Sequence, residues 1–372
     1  MPLRLEGLTH AHADGSVALH PVDLEVAEGE ILVVTGGTGS GKSTLLELVA
    51  GRRAPTAGAV RLPAAGAVRP PAGAADSAAA GVLLLTTRSP LPSAATLRES
   101  LRFDLPPADA ERGMAGAARL GLKDRLEVAP EALSGGERQS ALLARAVATL
   151  PALLLLDDAL APMEPALRVL ARAELARLAG GGTTVLLATP DPAEALRMGG
   201  RAAVLQGGRV QQVAPASAVY ERPATLSVAA FFGAPPPMNL FPGTLVRVEN
   251  GVRFRCASFT LAVAPLDPGG EEVVLGVRPE HVLLVGVKPD RAGSPDALAT
   301  VRRVEALGAG ALVHCRTEEG EELLAYASEP PDLHPEQLVG VRMDRAHLHL
   351  FDRASGERVA QPPAVGERWW VG

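Results

Sequence analysis

A glycine-rich segment, GGTGSGKST at residues 36–44, joins the apolar run ILVVT to a helical pattern that begins at Lys42. Its glycines let the backbone curl so that successive N–H groups face one point, and a helix start adds partial positive charge. In this context of strand, loop and helix, such a pattern binds the phosphates of a nucleotide. The segment predicts an α/β fold and a nucleotide site formed by nine consecutive residues: Gly36, Gly37, Thr38, Gly39, Ser40, Gly41, Lys42, Ser43 and Thr44.

A second signal is LLLLDD at residues 153–158, where an apolar run ends in two adjacent aspartates. A charge beside a buried strand needs water, a partner or a ligand, and α/β folds bind ligands at the carboxyl ends of their strands. Asp157 is predicted to hold Mg²⁺ through water, as in P-loop NTPases, with the Ser43 hydroxyl as a ligand and Lys42 on the β- and γ-phosphates. The fold class is therefore the α/β P-loop NTPase class, with a nucleotide and Mg²⁺ as cofactors.

Other segments fit the same fold class. GVLLLTT (81–87) and TTVLLAT (183–189) are continuous apolar runs without alternation, which is typical of buried strands in a parallel sheet. A helix is predicted from about residue 42 to residue 52, and residues 88–133 read as a small helical insert. Strands that alternate with helices favour a parallel sheet.

The pattern changes at Gly233. The proline-rich stretch GAPPPMNLFPG is followed by short alternating segments separated by turn residues, which indicates a small all-β domain or barrel. We expect a nucleotide-binding domain at residues 1–232 and a β domain at residues 240–372.

The most specific motif after the phosphate loop is LSGGERQ at residues 133–139. Ser134 and Glu137 fit a capping box at the start of a helix. Gly135 and Gly136 leave the first backbone N–H groups of that helix open to an anion. Because the chain already has one phosphate loop, this second group of open N–H donors is predicted to bind a nucleotide held by another subunit.

With these motifs the chain resembles the ABC transporter ATPases, whose signature motif faces the ATP of the opposite subunit in a head-to-tail dimer. The resemblance covers nearly the whole chain and is closest to the ATPase subunits of sugar importers of the maltose and glycerol-phosphate type. FFGAPPPMNLFPGTL, VLGVRPEHV and HLHLFDRASGERV resemble the OB-like regulatory domain of that branch. The resemblance implies a second ATPase subunit and membrane-spanning permease subunits that dock at about residues 88–133. It also implies, indirectly, an external solute-binding protein.

Four chemically important positions depart from the pattern of this family. Where the family has a glutamate that acts on the attacking water, this chain has the shorter Asp158. Pro190 stands at the position of the histidine that contacts the γ-phosphate, and it has neither a polar side chain nor a backbone donor. Thr87 replaces the glutamine that links Mg²⁺ and water to the membrane subunits. Glu164 replaces an aspartate of the dimer contact.

Three histidines raise separate questions. His12 aligns with the aromatic residue that stacks on adenine in the family, and both an adenine platform and a surface loop histidine remain open. His347 and His349 alternate in a segment that reads as a strand. A solvated strand edge is the expectation for this pair, because no further ligand converges on it in the sequence.

The substitutions spare phosphate binding, metal binding and the signature, but they alter the groups that act on water and the γ-phosphate. The first reading is an ATP-hydrolysing subunit of an ABC importer, for a sugar or related solute, with slow turnover. The second is a catalytically impaired subunit that works beside an intact ATPase paralogue. A third is a soluble nucleotide-dependent regulator that uses its β domain to bind proteins or metabolites.

Composition limits the partners. The formal net charge is −6 and basic residues are dispersed, so no nucleic-acid surface is predicted. Cys256 and Cys315 lie far apart in no metal-ligand spacing, which predicts reduced thiols. The sequence has no signal-peptide core and no apolar run near the ~20 residues that span a bilayer. We therefore expect a cytoplasmic protein, peripheral on the inner face of the cell membrane through its partners.

Overall fold

The computed structural model describes residues 2–62, 81–233, 236–249, 251–263, 272–287, 294–308, 310–329 and 331–360. Contacts divide the chain into two units, Met1–Ser217 and Ala218–Gly372. This division lies before the proline-rich segment at which the sequence pattern changes. Within the described residues, no helix is long and apolar enough to cross a membrane.

The first unit alternates strands and helices. Its strands are β1 (Leu3–Ala11), β2 (Val17–Val26), β3 (Ile31–Thr35), β4 (Ala57–Arg61), β5 (Val82–Thr86), β6 (Leu153–Asp157), β7 (Thr184–Thr189), β8 (Arg201–Gln206) and β9 (Arg209–Pro215). Its helices are α1 (Lys42–Val49), α2 (Leu97–Arg102), α3 (Pro107–Arg119), α4 (Gly135–Thr149), α5 (Pro165–Gly180) and α6 (Pro192–Met198), and α7 (Ala216–Glu221) spans the division.

Two sheets organise this unit. The larger has the order β5-β6-β7-β3-β8-β9, in which the neighbours from β5 to β8 are parallel and β9 is an antiparallel edge. The smaller, antiparallel sheet has the order β2-β1-β4. Buried side chains of both sheets and of α1 form one hydrophobic cluster. Strands β3, β6 and β7 are buried along most of their length, as continuous apolar runs predict.

The helical insert packs on the signature helix α4 through small residues. A Cβ on Gly113 would lie 3.0 Å from the Cβ of Ala148, so α3 approaches α4 closely there. Arg119 at the end of α3 donates two hydrogen bonds, of 2.7 and 2.8 Å, to the buried carboxylate of Glu174 in α5. Burial opposes ionisation of this carboxylate, but its two arginine partners, Arg119 and Arg177, lower the pKa of Glu174 to about 2.

The second unit is almost entirely β structure. The prediction that an α/β fold is followed along the chain by an all-β region is therefore confirmed. The end of α7 and the helix α8 (Leu226–Phe231) precede its strands. These are β10 (Asn239–Val248), β11 (Gly251–Arg255), β12 (Thr260–Val263), β13 (Glu272–Val277), β14 (Val282–Val285), β15 (Ala297–Leu307), β16 (Gly310–Thr317), β17 (Glu322–Ala327), β18 (Leu338–Met343), β19 (Leu348–Asp352) and β20 (Arg358–Ala360).

The strands of this unit form two antiparallel sheets, with the orders β12-β11-β10-β13-β19-β20 and β14-β18-β15-β16-β17. Buried side chains from both sheets make one shared core. Cys256 and Cys315 are free thiols, as the sequence predicts. Burial raises the pKa of each thiol to about 11.

Two local predictions are wrong. Helix α1 ends at Val49 rather than near Arg52, because Gly51 turns into the left-handed region at φ 70°. The pair His347 and His349 does not form a solvated strand edge. His347 ends a 3-10 turn before β19, whereas His349 lies within β19 and is only 3% exposed.

Candidate functional site

The phosphate loop starts where β3 ends and runs directly into α1. A Cβ on Gly36 would lie 2.0 Å from the carbonyl oxygen of Leu205, and one on Gly41 would lie 2.7 Å from that of Ala18. Gly41 is also the N-cap of α1 and has a left-handed φ of 102°. Both positions therefore require glycine, and the loop is built from backbone rather than side chains.

Lys42 is held inside this loop. Its Nζ donates hydrogen bonds to the carbonyl oxygens of Gly36 and Gly37, at 2.7 and 2.8 Å, and to Ser40 Oγ at 3.2 Å. Burial lowers the pKa of Lys42, and the negative charges of the two aspartates after Leu156 oppose that shift. The ammonium group is thus surrounded by oxygen acceptors, the kind of atom that a phosphate also offers.

Four predicted site residues meet at one edge of the larger sheet. Strands β5, β6, β7 and β3 are successive neighbours, and their carboxyl ends are in register. Thr86 pairs with Asp157, and Thr35 pairs with Thr189. The residues that follow these strand ends are Thr87, Asp158, Pro190 and Gly36. The parallel sheet therefore brings together positions that are far apart in the sequence.

Asp158 has a distinctive backbone. Its φ is 51°, in the left-handed region, and its N–H donates a hydrogen bond of 2.9 Å to the carbonyl oxygen of Ala188. Burial, and next the negative charge of Asp157, raise the pKa of Asp158 against two opposing cations. A higher pKa makes this carboxylate a stronger base than a surface aspartate.

The two other substituted positions on this edge face solvent. Pro190 is exposed between β7 and α6, where Asp191 N–H donates to Thr189 Oγ1 at 3.1 Å and closes a tight turn. Thr87 is exposed directly after β5. Neither side chain has the length of the histidine or glutamine of the family. Glu164 is the exposed N-cap of α5, and its side chain makes no capping hydrogen bond.

The signature segment forms the predicted capping box. Ser134 Oγ accepts the N–H of Glu137 at 3.2 Å, and the Glu137 carboxylate accepts the N–H of Ser134 at 2.9 Å. Arg125 donates to the same carboxylate at 2.6 Å and offsets its negative charge. A Cβ on Gly136 would lie 3.1 Å from the Cα of Met163, so this glycine lets α4 approach the loop before α5.

Two side chains that the sequence analysis does not single out organise the same region. Gln139 Nε2 donates to the carbonyl oxygen of Thr86 at 3.3 Å and so ties the signature helix to the end of β5. Arg168 donates to the carbonyl oxygens of Met163 at 2.8 Å and Ala161 at 3.3 Å. It fixes the loop after Asp158. Gln139 is part of the signature motif, so the motif could have identified it from the sequence. No sequence motif includes Arg168.

His12 lies at the exposed end of the β1–β2 hairpin. Its ring and that of His10 are nearly perpendicular, with ring centroids 5.4 Å apart and planes at 89°. Its backbone N–H donates to the carbonyl oxygen of Ser16 at 2.8 Å, which closes the hairpin turn. The exposed ring is open to contact by a base, and the stacking role of His12 remains a prediction.

The residues present fit a nucleotide with Mg²⁺. Gly36 and Gly41 leave space only for backbone, which suits the close approach of phosphate oxygens. Ser43 is exposed in the first turn of α1, and Asp157 is half-buried at the end of β6. A hydroxyl and a carboxylate are oxygen ligands of the kind that Mg²⁺ takes, together with water and phosphate.

Three protein families match segments of this chain. Residues 19–161 match the family described as ABC transporter, residues 235–282 the MalK OB fold domain, and residues 275–351 the TOBE domain. Matches to solved structures concern the fold alone. A metal-chelate type ABC transporter in an inward-facing conformation has a TM-score of 0.50 and 20% identity, over 70% of this chain and 98% of that chain.

Similar proteins cover almost the full length. The sn-glycerol-3-phosphate import ATP-binding protein UgpC of Chromohalobacter salexigens is 34% identical over 369 residues, which is 96% of this chain and 95% of that protein. UgpC 2 of Agrobacterium fabrum is 36% identical over 348 residues, 92% of this chain and 90% of that protein. UgpC of Paracoccus denitrificans is 35% identical over 354 residues, 93% of this chain and 96% of that protein.

Proposed function

The chain belongs to the import ATP-binding proteins of ABC transporters, and we propose that it acts as one of two ATPase subunits beside membrane-spanning permeases, on the inner face of the cell membrane. A member of this family binds and hydrolyses ATP to energise import. The observation that carries the proposal is the full-length match, which spans the phosphate loop, the signature and the OB and TOBE regions. An external solute-binding protein would deliver the solute.

The solute that we propose is a phosphorylated polyol or sugar. The support is that the full-length relatives named above are sn-glycerol-3-phosphate import proteins. Nothing in the ATPase subunit needs to contact this solute, because recognition of the solute belongs to the permease and the external binding protein. The assignment therefore depends on the likeness of the whole chain rather than on one residue.

In the proposed mechanism, ATP lies between residues 36–44 of one subunit and residues 134–136 of the other. Lys42 and the backbone N–H groups of the loop bind the phosphates, and the open N–H groups at the start of α4 bind from the opposite side. Ser43 and Asp157 would hold Mg²⁺, which neutralises charge that develops on the β- and γ-phosphates when it is bound. Asp158 would orient the attacking water as general base.

The same residues support slow turnover. Asp158 is one methylene shorter than glutamate, and misplacement of a catalytic group by ~1 Å can cost on the order of 10²-fold in rate. Pro190 has no donor for the γ-phosphate, and Thr87 has less reach than glutamine. A homodimer would carry these substitutions at both of its sites. A specific alternative is a heteromer, in which this chain gives its intact signature, Ser134 to Glu137, to an ATPase paralogue with full catalytic residues.

The test is reconstitution of the full chain with its permease subunits in vesicles. ATP hydrolysis and uptake of glycerol 3-phosphate would be measured with this chain alone, with an ATPase paralogue, and with the Lys42→Ala variant as the inactive control. ATP-dependent uptake supports the importer role. A requirement for the paralogue supports the heteromer. If the chain neither associates with permeases nor responds to them, the importer role is wrong and a soluble nucleotide-dependent regulator takes its place.

A further inference from the structure

Three potential metal ligands converge in the second unit. One ligand atom each from His281, Asp344 and His347 lies within 4.8 Å of the other two. His347 Nδ1 is 2.8 Å from Asp344 Oδ2, and the rings of His281 and His347 stack with centroids 3.7 Å apart and planes at 11°. Both histidines are half-buried and Asp344 is exposed. Solvent can therefore reach the cluster.

The backbone around these ligands is fixed. His281 ends the 3-10 turn Pro279–His281, and His347 ends the 3-10 turn Arg345–His347. Asp344 N–H donates to the carbonyl oxygen of His281 at 2.9 Å, and His347 N–H donates to the carbonyl oxygen of Asp344 at 3.1 Å. The first bond joins the two turns and the second closes the turn that Asp344 begins, so the backbone holds all three residues near one another before any ion binds.

The location of the two turns is distinctive. The turn at His281 carries the chain from β13 of one sheet to β14 of the other, and the turn at His347 carries it back from β18 to β19. Strand β13 pairs with β19, and β14 pairs with β18. The chain segments that connect the two sheets, β13 to β14 and β18 to β19, therefore run next to each other, and the cluster lies between them.

The protonation states suit a metal. Burial, and then the proximity of His347, lower the pKa of His281, while Glu280 and Asp344 oppose and Arg278 adds to that shift. Burial would raise the pKa of Asp344, but its hydrogen bonds from Ala346 N–H and His347 lower it overall. A neutral imidazole and an ionised carboxylate are the forms that bind metal ions.

We propose that His281, Asp344 and His347 form a binding site for a divalent first-row transition metal ion, with Zn²⁺ as the representative. Two imidazoles favour such an ion over Mg²⁺ or Ca²⁺, which take oxygen ligands. The ion lies in the plane of each imidazole that binds it, so the stacked rings tilt apart on binding. Three protein ligands leave a fourth position to water.

A second histidine and aspartate pair shows what sets this cluster apart. His334 Nε2 lies 3.6 Å from Asp332 Oδ1, and these side chains are 78% and 98% exposed. That pair has the same residue types but, within the part of the chain that the structure describes, belongs to no such group of three ligands. It provides a matched control within the same unit. A bound ion at the proposed site would link the two turns that connect the sheets, so metal binding would stabilise the second unit.

The experiment uses the full chain, freed of metal with a chelator and kept without nucleotide. Zn²⁺ would be titrated by calorimetry and Co²⁺ by its visible absorption, with thermal unfolding measured in parallel. His347→Ala and Asp344→Asn are the variants. The asparagine side chain of the second variant keeps an oxygen that can accept the Ala346 N–H, as the aspartate does at 3.0 Å. His334→Ala is the control.

We expect one bound ion per chain and a raised melting temperature on metal addition. Affinity should fall at least tenfold in both variants, with the stabilisation lost, and remain unchanged in the control. Tight binding that persists in both folded variants would place the ion elsewhere and overturn the proposal. Failure of the unaltered chain to bind Zn²⁺ and Co²⁺ would overturn it as well.

Discussion

The N–H of Asp158 is hydrogen-bonded to the carbonyl oxygen of Ala188, at 2.9 Å, across the edge of the sheet. Ala188 belongs to β7, the strand that leads to Pro190. A backbone shift that moved the Asp158 carboxylate forward by one methylene would break this bond. The sheet thus opposes the movement that could compensate for the shorter side chain. The backbone positions of Asp158 and Pro190 are both set by the end of this sheet.

Restoring both family residues should speed ATP hydrolysis. We expect the double variant Asp158→Glu and Pro190→His to raise the ATPase rate of the chain at least tenfold, since a positioned base typically contributes ~10²–10⁴-fold. Each single change should help less, because each restores a different contact to the reacting group. Steady-state phosphate release measures the effect. Asp124→Glu, in the 3-10 turn Lys123–Arg125, is the control for a lengthened acid. An unaltered chain that already turns over as fast as the double variant would contradict this prediction.

Nucleotide affinity should depend on Lys42. Replacing Lys42 with alanine removes the side-chain cation of the phosphate loop, and ATP binding measured by calorimetry should become undetectable. Lys123 is exposed in a surface turn, so Lys123→Ala should leave the affinity unchanged. Retained binding in Lys42→Ala would mean that the loop does not hold the phosphates.

The position at which the chain is truncated should determine how strongly the isolated ATPase unit aggregates. Ala229 packs with Met238 and Phe351 of the second unit, and Leu226 N–H donates to the carbonyl oxygen of Gly356 at 2.8 Å. Chains ending at Ser217 or at Gly233 should both bind ATP with the affinity of the full chain. Only the longer one exposes the apolar side of α8, so light scattering should show that it aggregates more. Equal aggregation of the two, or loss of ATP binding in both, would contradict this division.

Stability of the second unit should fall in mild acid because of His349. Arg358 donates to His349 Nδ1 at 2.7 Å, and burial followed by the charge of Arg358 lowers the pKa of His349 to about 3, from 6.5. Below pH 6.5 the unfolded chain therefore binds a proton that the folded chain does not. The stability from this group is present above pH 6.5 and is lost as pH falls toward 3, by about 1–2 kcal/mol between pH 7 and pH 5.

Urea unfolding at pH 7 and pH 5 measures this loss. His349→Gln should show a smaller decrease, since glutamine can still accept from Arg358 and does not titrate. The lowered pKa of His281 acts in the same direction, so part of the decrease remains. His334→Gln, at an exposed position, should behave as the unaltered chain. If His349→Gln loses as much stability between the two pH values as the unaltered chain, the charge state of His349 is not the cause.

Local motifs explain how far the sequence could predict this protein. The loop at Gly36, the strand end at Asp157 and the capping box at Ser134 depend on near neighbours in the chain, so pattern alone locates them. The bond from Gln139 to Thr86 joins residues far apart in sequence, and no pattern reveals it. His347 and His349 misled for a different reason. Alternation implies one strand face only within a strand, and the strand begins at Leu348.

The capping box at the start of α4 has a consequence for how two subunits meet. Ser134 and Glu137 bind each other, and Arg125 binds Glu137, within a single chain. Fixing the rotamers of a glutamate or arginine side chain costs up to ~2 kcal/mol of conformational entropy, and here that ordering accompanies folding. In the proposed dimer, the first turn of α4 would therefore meet the nucleotide of the second subunit with the side chains of Ser134 and Glu137 already ordered. Association in the proposed dimer would then need no ordering of Ser134 and Glu137, so the entropy cost at the signature should be small.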